Sequence, residues 1–434
     1  MSNHILPYRT SVLKVTLAFL TPTPVPDLAA THTVHTADTL YHLAQTSHTT
    51  AAELQRLNNL TQPGLHIGQT LVLPRRPRSP SLRRPHSPQR RRRPLLRRLP
   101  GVAIPSRPPT FHLRPFVTGD VSFYIAVYDP KTLIAQRAYA TGGANTLYPL
   151  ASTFKTPVVR AALRDVDAER LSLNTPPTTT TANRSLESYS SGTHPLSYLL
   201  DRMISKSENT AADIVFRTVG PERVAQQVHA LSPCTSILIT TKAWRSIQGG
   251  MLPAQNRSTL LNAAQVYQAL PWEQRVAFAS KLNAASLRVQ APQLSHQLDA
   301  YFAGPNYDPR LDVAVQNSST AHAYADLLAQ LLSRPGRTPG RAAQLRNFYA
   351  PGCCHPGTDR VTEKPAVPVT YWGSKGGIGW GNLNLTGFIQ LVDGRILTYT
   401  YFNHGSQVKD ALAIRPRIFK LVPWINSLPP SLTR

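Results

Sequence analysis

Two stretches of the chain carry regular apolar patterning, separated by one that carries none. In the first, Thr31 to His35 alternates like a short strand, and Leu40, Leu43 and Ala44 then recur at helical spacing. Thr50 and Glu53 stand at capping-box spacing before Leu54 and Leu57, which predicts a second helix ended by Asn58-Asn59. After the Pro63-Gly64 turn, Ile67 to Pro74 alternates again. Residues 32–74 therefore read as strand, helix, helix, strand. Residues 76–115 follow as a Pro/Arg-rich linker with no apolar period, where proline stiffness and like charge predict an extended spacer.

The second patterned stretch is longer. Val121 to Tyr128 is a run of strand formers, and Asp129-Pro130-Lys131-Thr132 turns it into a second strand, Leu133 to Tyr139. Helical patterns dominate from 153 to about 350. Near the C-terminus, Leu385–Val392 and Arg395–Phe402 flank Asp393-Gly394, a strong hairpin signal, and Gln407 to Lys420 reads as an amphipathic cover. Strands from both ends of the segment with helices between predict one sheet covered by helices, plus an all-helical lobe.

Composition narrows the class. Apolar residues make up 41% of the 434-residue chain and charged residues 16%, so most of it folds. Three cysteines rule out a disulfide scaffold and supply no zinc set, and Cys353-Cys354-His355 reads as a loop. No apolar run approaches the length of a spanning helix. The net charge is +25, but thirteen arginines and no acid lie between 75 and 119, so about half the excess sits in the spacer. No folded face is shown to be basic, and nucleic acid is not an expected partner. In residues 1–30, Arg9 and Lys14 precede Val15 to Leu20, and Asp27-Leu28-Ala29-Ala30 offers small residues for cleavage. This reads as a signal peptide or a disordered N-terminus.

Three short motifs carry chemistry. Ser152-Thr153-Phe154-Lys155 places an amine one helical turn from a hydroxyl, and a serine nucleophile needs such a base. The pattern also occurs at Ser11-Lys14 without support, so alone it decides little. Ser207-Glu208-Asn209 opens a predicted helix whose apolar face is Ala211, Ala212, Ile214, Val215 and Val219. Lys375-Gly376-Gly377 leads into Ile378, and its glycines would let a substrate backbone lie along a strand edge.

In this order, over residues 116–425, the three motifs resemble the penicillin-recognising serine hydrolases of the class A β-lactamase type. The resemblance implies an α+β fold: a five-stranded antiparallel sheet with helices on both faces and a helical lobe. It implies Ser152 as acylated nucleophile and Lys155 as its base, with a pKa lowered by burial and by Lys375. Ser207 relays a proton, Asn209 holds the substrate amide, Lys375 attracts the substrate carboxylate, and Glu208, Gly376 and Gly377 line the substrate. The backbone N–H groups of Ser152 and Ile378 form the oxyanion hole. No metal or other cofactor is implied.

Two departures are modest. Glu208 stands where Asp is usual, and Gly376 where a hydroxyl residue is usual. A third matters more. Thr241 to Arg245, where the deacylating glutamate is expected, holds no acid, and the chain carries a surplus between about 246 and 316. Glu273 in that surplus reads as a helix first turn. Deacylation is therefore expected to be slow, and an inactive penicillin- or peptidoglycan-binding protein of the same fold is the alternative.

Residues 31–75 resemble a LysM module through Thr33-Val34-His35, Ala37 to Tyr41, Leu57 to Leu60 and Ile67 to Leu71. Ala37 replaces the usual glycine. The resemblance implies N-acetylglucosamine chains of peptidoglycan as partner, held by loops at Asp38, Thr39 and Leu40 and at Leu60, Thr61 and Leu65. Both resemblances imply a protein of the cell envelope, in the periplasm or cell wall, acting on a β-lactam or a D-Ala-D-Ala peptide.

Overall fold

A computed structural model describes residues 28–34, 43, 47, 51–60, 68–74, 116–186, 193–251, 257–304, 307–333, 339–349 and 364–433. The chain divides into two compact units, Met1–Gly101 and Val102–Arg434.

In the N-terminal unit, strands β1 (Leu28–Thr33) and β2 (Thr70–Pro74) pair antiparallel, with His32 opposite Leu71. The first strand starts earlier than the alternation predicts. Helix α1 (Ala51–Leu57) lies between them, and Leu54 and Leu71 are fully buried with Val34 and Leu43 in a small core. Asn58 does more than end the helix. Its side chain donates to Leu54 O (2.8 Å) and Val72 O (2.9 Å) and accepts from Val72 N (2.6 Å), tying helix to strand. Asn59 takes the left-handed turn at φ 51°, which asparagine tolerates.

The C-terminal unit is built on a five-stranded antiparallel sheet in the order β4-β3-β9-β8-β7. The strands are β3 (Asp120–Tyr128), β4 (Ala135–Gly142), β7 (Val369–Gly379), β8 (Asn382–Leu391) and β9 (Ile396–His404). The sequence pattern of β3 explains its central place. Phe123, Ile125 and Val127 enter one core, while Tyr124, Ala126 and Tyr128 enter the other, so both faces are covered and the strand reads as a continuous apolar run. The second strand begins at Ala135 rather than Leu133. Asp129 Oδ1 accepts from the backbone of Lys131 (2.9 Å) and Thr132 (2.8 Å), and Leu133 at φ 57° still belongs to that turn.

Helices follow in chain order: α2 (Lys155–Asp167), α3 (Leu196–Ser205), α4 (Asn209–Val219), α5 (Pro221–His229), α6 (Thr241–Gln248), α7 (Arg257–Ala269), α8 (Trp272–Ala285), α9 (Ala291–Ala303), α10 (Pro309–Val315), α11 (Ala321–Ser333) and α12 (Pro339–Tyr349). The surplus between 246 and 316 is thus mostly helical, with Glu273 in the first turn of α8. The amphipathic segment near the C-terminus forms α13 (Ala411–Ile414) and, after a 3-10 turn at Arg415–Arg417, α14 (Ile418–Asn426). Ile414, Ile418, Leu421, Val422 and Ile425 pack on the sheet face that carries Phe123, as the pattern predicts. The hairpin at Asp393-Gly394 joins β8 to β9, with Gly394 at φ 89°. A two-residue pairing of β5 (Tyr148–Pro149) with β6 (Ser318–Ser319) completes the described sheets.

Candidate active site

The chain reaches Ser152 from β5 through a tight, braced turn. Asn384 Nδ2 donates to Pro149 O (2.7 Å), and Leu150 N donates to Asn317 O (2.8 Å). Ala151 then adopts φ 43°, a left-handed value that costs a non-glycine residue of order 1–3 kcal/mol and persists only where surrounding contacts impose it. Residues Ala151–Phe154 form a 3-10 turn that runs into α2 at Lys155. Side chains three apart nearly eclipse in such a turn, so Ser152 and Lys155 lie on one side, as the spacing predicts. Pro157 sits in the first turn of α2, where its missing N–H is harmless. Thr153 Oγ1 donates to Leu150 O (2.7 Å), and the buried Tyr324 hydroxyl donates to Thr153 O (2.6 Å), fixing the turn from the α11 side.

Lys155 is fully buried. Its Nζ donates to Ser207 O (2.5 Å) and Asn209 Oδ1 (2.7 Å) and lies 3.4 Å from Ser207 Oγ. Lys375, also buried, donates from Nζ to the same Ser207 Oγ (2.9 Å) and to Gly376 O (2.8 Å). Ser207 Oγ therefore stands between two amines that lie far apart in sequence. Burial first, and the neighbouring Lys155 ammonium second, push the Lys375 pKa well below the ordinary lysine value. Ser207 itself sits at φ 55°, in the three-residue link between α3 and α4, so Ala151 and Ser207 both hold left-handed backbone beside the residues of the three motifs.

Strand β7 lies against the serine turn at Gly377. A Cβ there would stand 2.8 Å from Leu150 O, 3.0 Å from Ser152 N and 3.1 Å from Thr153 N, so only glycine lets the strand approach this closely. Ser152, Asn209 and Ile378 line one cleft together with Thr241, Trp244, Arg245, Phe302, Asp312, Gln316 and Trp380. A buried lysine one helical turn from a serine, a second hydroxyl between two amines, and a strand edge against the Ser152 N–H make up a constellation suited to acyl transfer.

A model of the beta-lactamase enzyme family matches residues 119–350, more than half of the chain. The chain belongs to that family. A LysM domain model matches residues 32–74, so this beta-lactamase family member carries a fused LysM domain. Solved structures similar to it include an ancestral class A beta-lactamase (20% identity, TM-score 0.43, 71% of this chain and 93% of that one). Others are a beta-lactamase from Chitinophaga pinensis (17%, 0.43, 70% and 95%) and one from Burkholderia vietnamiensis (15%, 0.43, 72% and 93%). No curated protein sequence matches.

Within this beta-lactamase family domain, Glu208 is paired with Arg202. Its carboxylate accepts from Arg202 Nε (3.0 Å) across the α3–α4 link, and only 11% of its side chain is exposed. Gly376 is buried, opposite Leu385 of β8, and contributes its carbonyl to Lys375. Thr241 to Arg245 form the start of α6, with Asp213 accepting from Thr241 N (2.7 Å) and Lys242 N (2.8 Å) to cap it. In the LysM domain Leu60 is half-buried against the small core, while Asp38, Thr39, Leu40, Thr61 and Leu65 lie outside the described residues. Among the described residues no cluster of acidic, histidine or cysteine side chains is arranged to hold a metal, and no helix is long and apolar enough to cross a membrane.

Sequence reasoning misses the brace around Ser152. Asn317 accepts at Oδ1 from Leu238 N (2.8 Å) and Ile239 N (3.0 Å) while its carbonyl holds Leu150, and Asn384 supports Pro149 from β8. Both residues hold the turn through main-chain contacts whose partners are set by the fold rather than by local spacing. Sequence reasoning also misses the acid of the cleft, Asp312 on α10, because it seeks a glutamate near Thr241 to Arg245.

Proposed function

We propose that the protein is a cell-wall-associated active-site serine hydrolase, acylated at Ser152 by β-lactams or D-alanyl peptides, with the LysM domain binding N-acetylglucosamine chains of peptidoglycan. The observation that carries this reading is the Ser207 hydroxyl held between the Lys155 and Lys375 amines at the edge of a cleft lined by Ser152. In the proposed reaction Lys155 takes the proton of Ser152 Oγ as it attacks the carbonyl carbon. The backbone N–H groups of Ser152 and Ile378 receive the developing oxyanion. The proton passes through Ser207 to the leaving nitrogen as its bond to carbon breaks. Lys375 attracts the substrate carboxylate, and Asn209 holds the substrate amide as well as Lys155. Gly377 keeps β7 close enough for a substrate backbone to lie beside Ile378, and Glu208 acts indirectly, by fixing the Ser207 link through Arg202.

Thr241 to Arg245 offer no carboxylate, so hydrolysis of the acyl-enzyme is slower than its formation. Peptidoglycan as the LysM partner supports a location outside the cytoplasm, in the periplasm or cell wall. Labelling with a fluorescent penicillin tests the reading. A covalent adduct of intact protein is expected, absent in Ser152→Ala and reduced at least tenfold in rate by Lys155→Ala. If the folded protein forms no adduct with either a penicillin or a D-Ala-D-Ala peptide ester, the inactive binding-protein reading replaces it.

A further inference from the structure

The surplus between 246 and 316 is not a peripheral ornament, because it delivers Phe302, Asp312 and Gln316 to the cleft that holds Ser152. Asp312 is the one acid among the residues described as lining that cleft, and it is buried, with 4% of its surface exposed. Nothing in the acylation scheme uses it. A buried carboxylate is unfavourable unless hydrogen bonds or charge support it, so its presence beside a nucleophile needs a reason.

The support around Asp312 is specific. Gln248 Nε2, at the end of α6, donates to Oδ1 in a short contact, and the Tyr307 hydroxyl lies 3.4 Å from Oδ2. The Gln316 amide also donates to it, and the Arg245 guanidinium offsets its charge from α6. Tyr307 reaches the other wall as well, with its hydroxyl 3.2 Å from Trp380 O, just past β7. The carboxylate is thus strapped between α6 and the end of the substrate strand. The neighbouring acid, Asp308, is instead engaged by Arg310 (Nη2 to Oδ2, 2.7 Å) and caps α10.

We propose that Asp312 is the general base that activates water against the Ser152 acyl-enzyme, supplied from α10 in place of an acid on α6. This rests on the reading of Ser152 as the acylated residue. A water oxygen bonds to the ester carbonyl carbon while one water proton passes to an Asp312 carboxylate oxygen. The tetrahedral intermediate then collapses with cleavage of the carbon–Oγ bond. Asp312 returns that proton to Ser152 Oγ as it leaves, which restores the carboxylate, and the carboxylic acid product departs. Because amides and a hydroxyl already engage both oxygens, Asp312 is a restrained base, consistent with slow turnover. Burial raises its pKa to about 6, with Arg245, Gln248, Gln316 and Tyr307 opposing the rise. The charged and titratable groups facing it are Arg245 from α6 and Tyr307, with Asp308 beyond Tyr307. The carboxylate is accordingly ionised at neutral pH and lost as a base below about pH 6.

The experiment follows the lifetime of a penicillin adduct on the full chain by intact-mass spectrometry, between pH 5 and 8. Wild type is expected to deacylate more slowly as the pH falls through about 6, and Asp312→Asn to extend the adduct lifetime about 10²-fold with that pH limb gone. Failure of any adduct to form on wild type refutes the Ser152 reading itself. An adduct whose lifetime is the same in Asp312→Asn, or whose pH limb persists there, refutes the role of Asp312 alone. Should Asp312→Asn not fold, a flat wild-type lifetime across that pH range overturns the proposal by itself. Asp312→Glu, if folded, is expected to restore part of the lost rate.

Discussion

Replacing Gly377 by alanine isolates the closeness of β7 to Ser152 from every charged group in the cleft. Ordinary contact begins near 3.4 Å, and the new Cβ would stand 2.8 Å from Leu150 O and 3.0 Å from Ser152 N. Leu150 O must then retreat by about 0.6 Å and Ser152 N by about 0.4 Å. Both belong to backbone held by Asn317 and Thr153, so neither yields freely. Overpacking of this kind costs about 1–3 kcal/mol. For a unit of this size that lowers the melting temperature by about 2–6 °C. The catalytic loss is larger in proportion. Displacement by about 1 Å costs roughly 10²-fold in rate, so half an ångström at the Ser152 N–H predicts a fall of about tenfold in acylation. Stopped-time fluorescent penicillin labelling measures the rate, and thermal circular dichroism the stability. Gly394→Ala is the control. Its φ of 89° strains any other residue, but its Cβ meets open space in a hairpin turn remote in sequence from the cleft motifs. That variant should lose about 1 kcal/mol and keep its acylation rate. Equal acylation rates in Gly377→Ala and wild type, within about twofold, would refute the argument that strand proximity sets the oxyanion geometry.

Other expectations concern charge and local ties. Lys375 has a pKa depressed in the folded state, so the unfolded chain binds more protons between that value and the free lysine value, and stability rises with pH across this window. Thermal melts should show that rise in wild type relative to Lys375→Met, and parallel curves for the two would contradict it. Glu208→Ala removes the carboxylate that Arg202 holds across the strained Ser207 link, and should lose about 1–2 kcal/mol together with about tenfold in acylation, read by melts and labelling. In the LysM domain, Asn58→Ala removes three hydrogen bonds at 2.6–2.9 Å from a unit with a very small core. About 1–3 kcal/mol is enough there to unfold the domain, so sedimentation with insoluble peptidoglycan should fall to background while acylation in solution is kept.

The parts of the fold that were legible in the sequence are those where local pattern and tertiary demand agree. β3 reads as a strand because both its faces are buried, and the Asp393-Gly394 hairpin because a tight turn requires its residues. Lys155, Ser207, Asn209 and Lys375 are singled out by three short motifs that mean little apart, and the fold joins these four by hydrogen bonds. Asn317 and Asn384 are not legible, since each works through a main-chain contact whose partner is chosen by the fold. Asp312 is illegible for a related reason. Its acid comes from a helix distant in sequence from the position where local spacing would seek it, and only the folding of α7 to α10 brings it to Ser152. The start of β4 slipped from Leu133 to Ala135 because Asp129 organises a longer turn than its residue types announce.

Pairing of β3 with β9 has a bearing on biosynthesis. Val121 lies opposite Asn403, so the interior of the sheet joins the first of the unit's described strands to the last of them. While the ribosome is still making the helices between them, β3 has β4 on one flank and nothing on the other. Loop closure over so long an interval is entropically slow. The sheet of this unit must therefore wait for β9 before it can close, and a message truncated ahead of Ile396 would yield a protease substrate rather than a weakened fold.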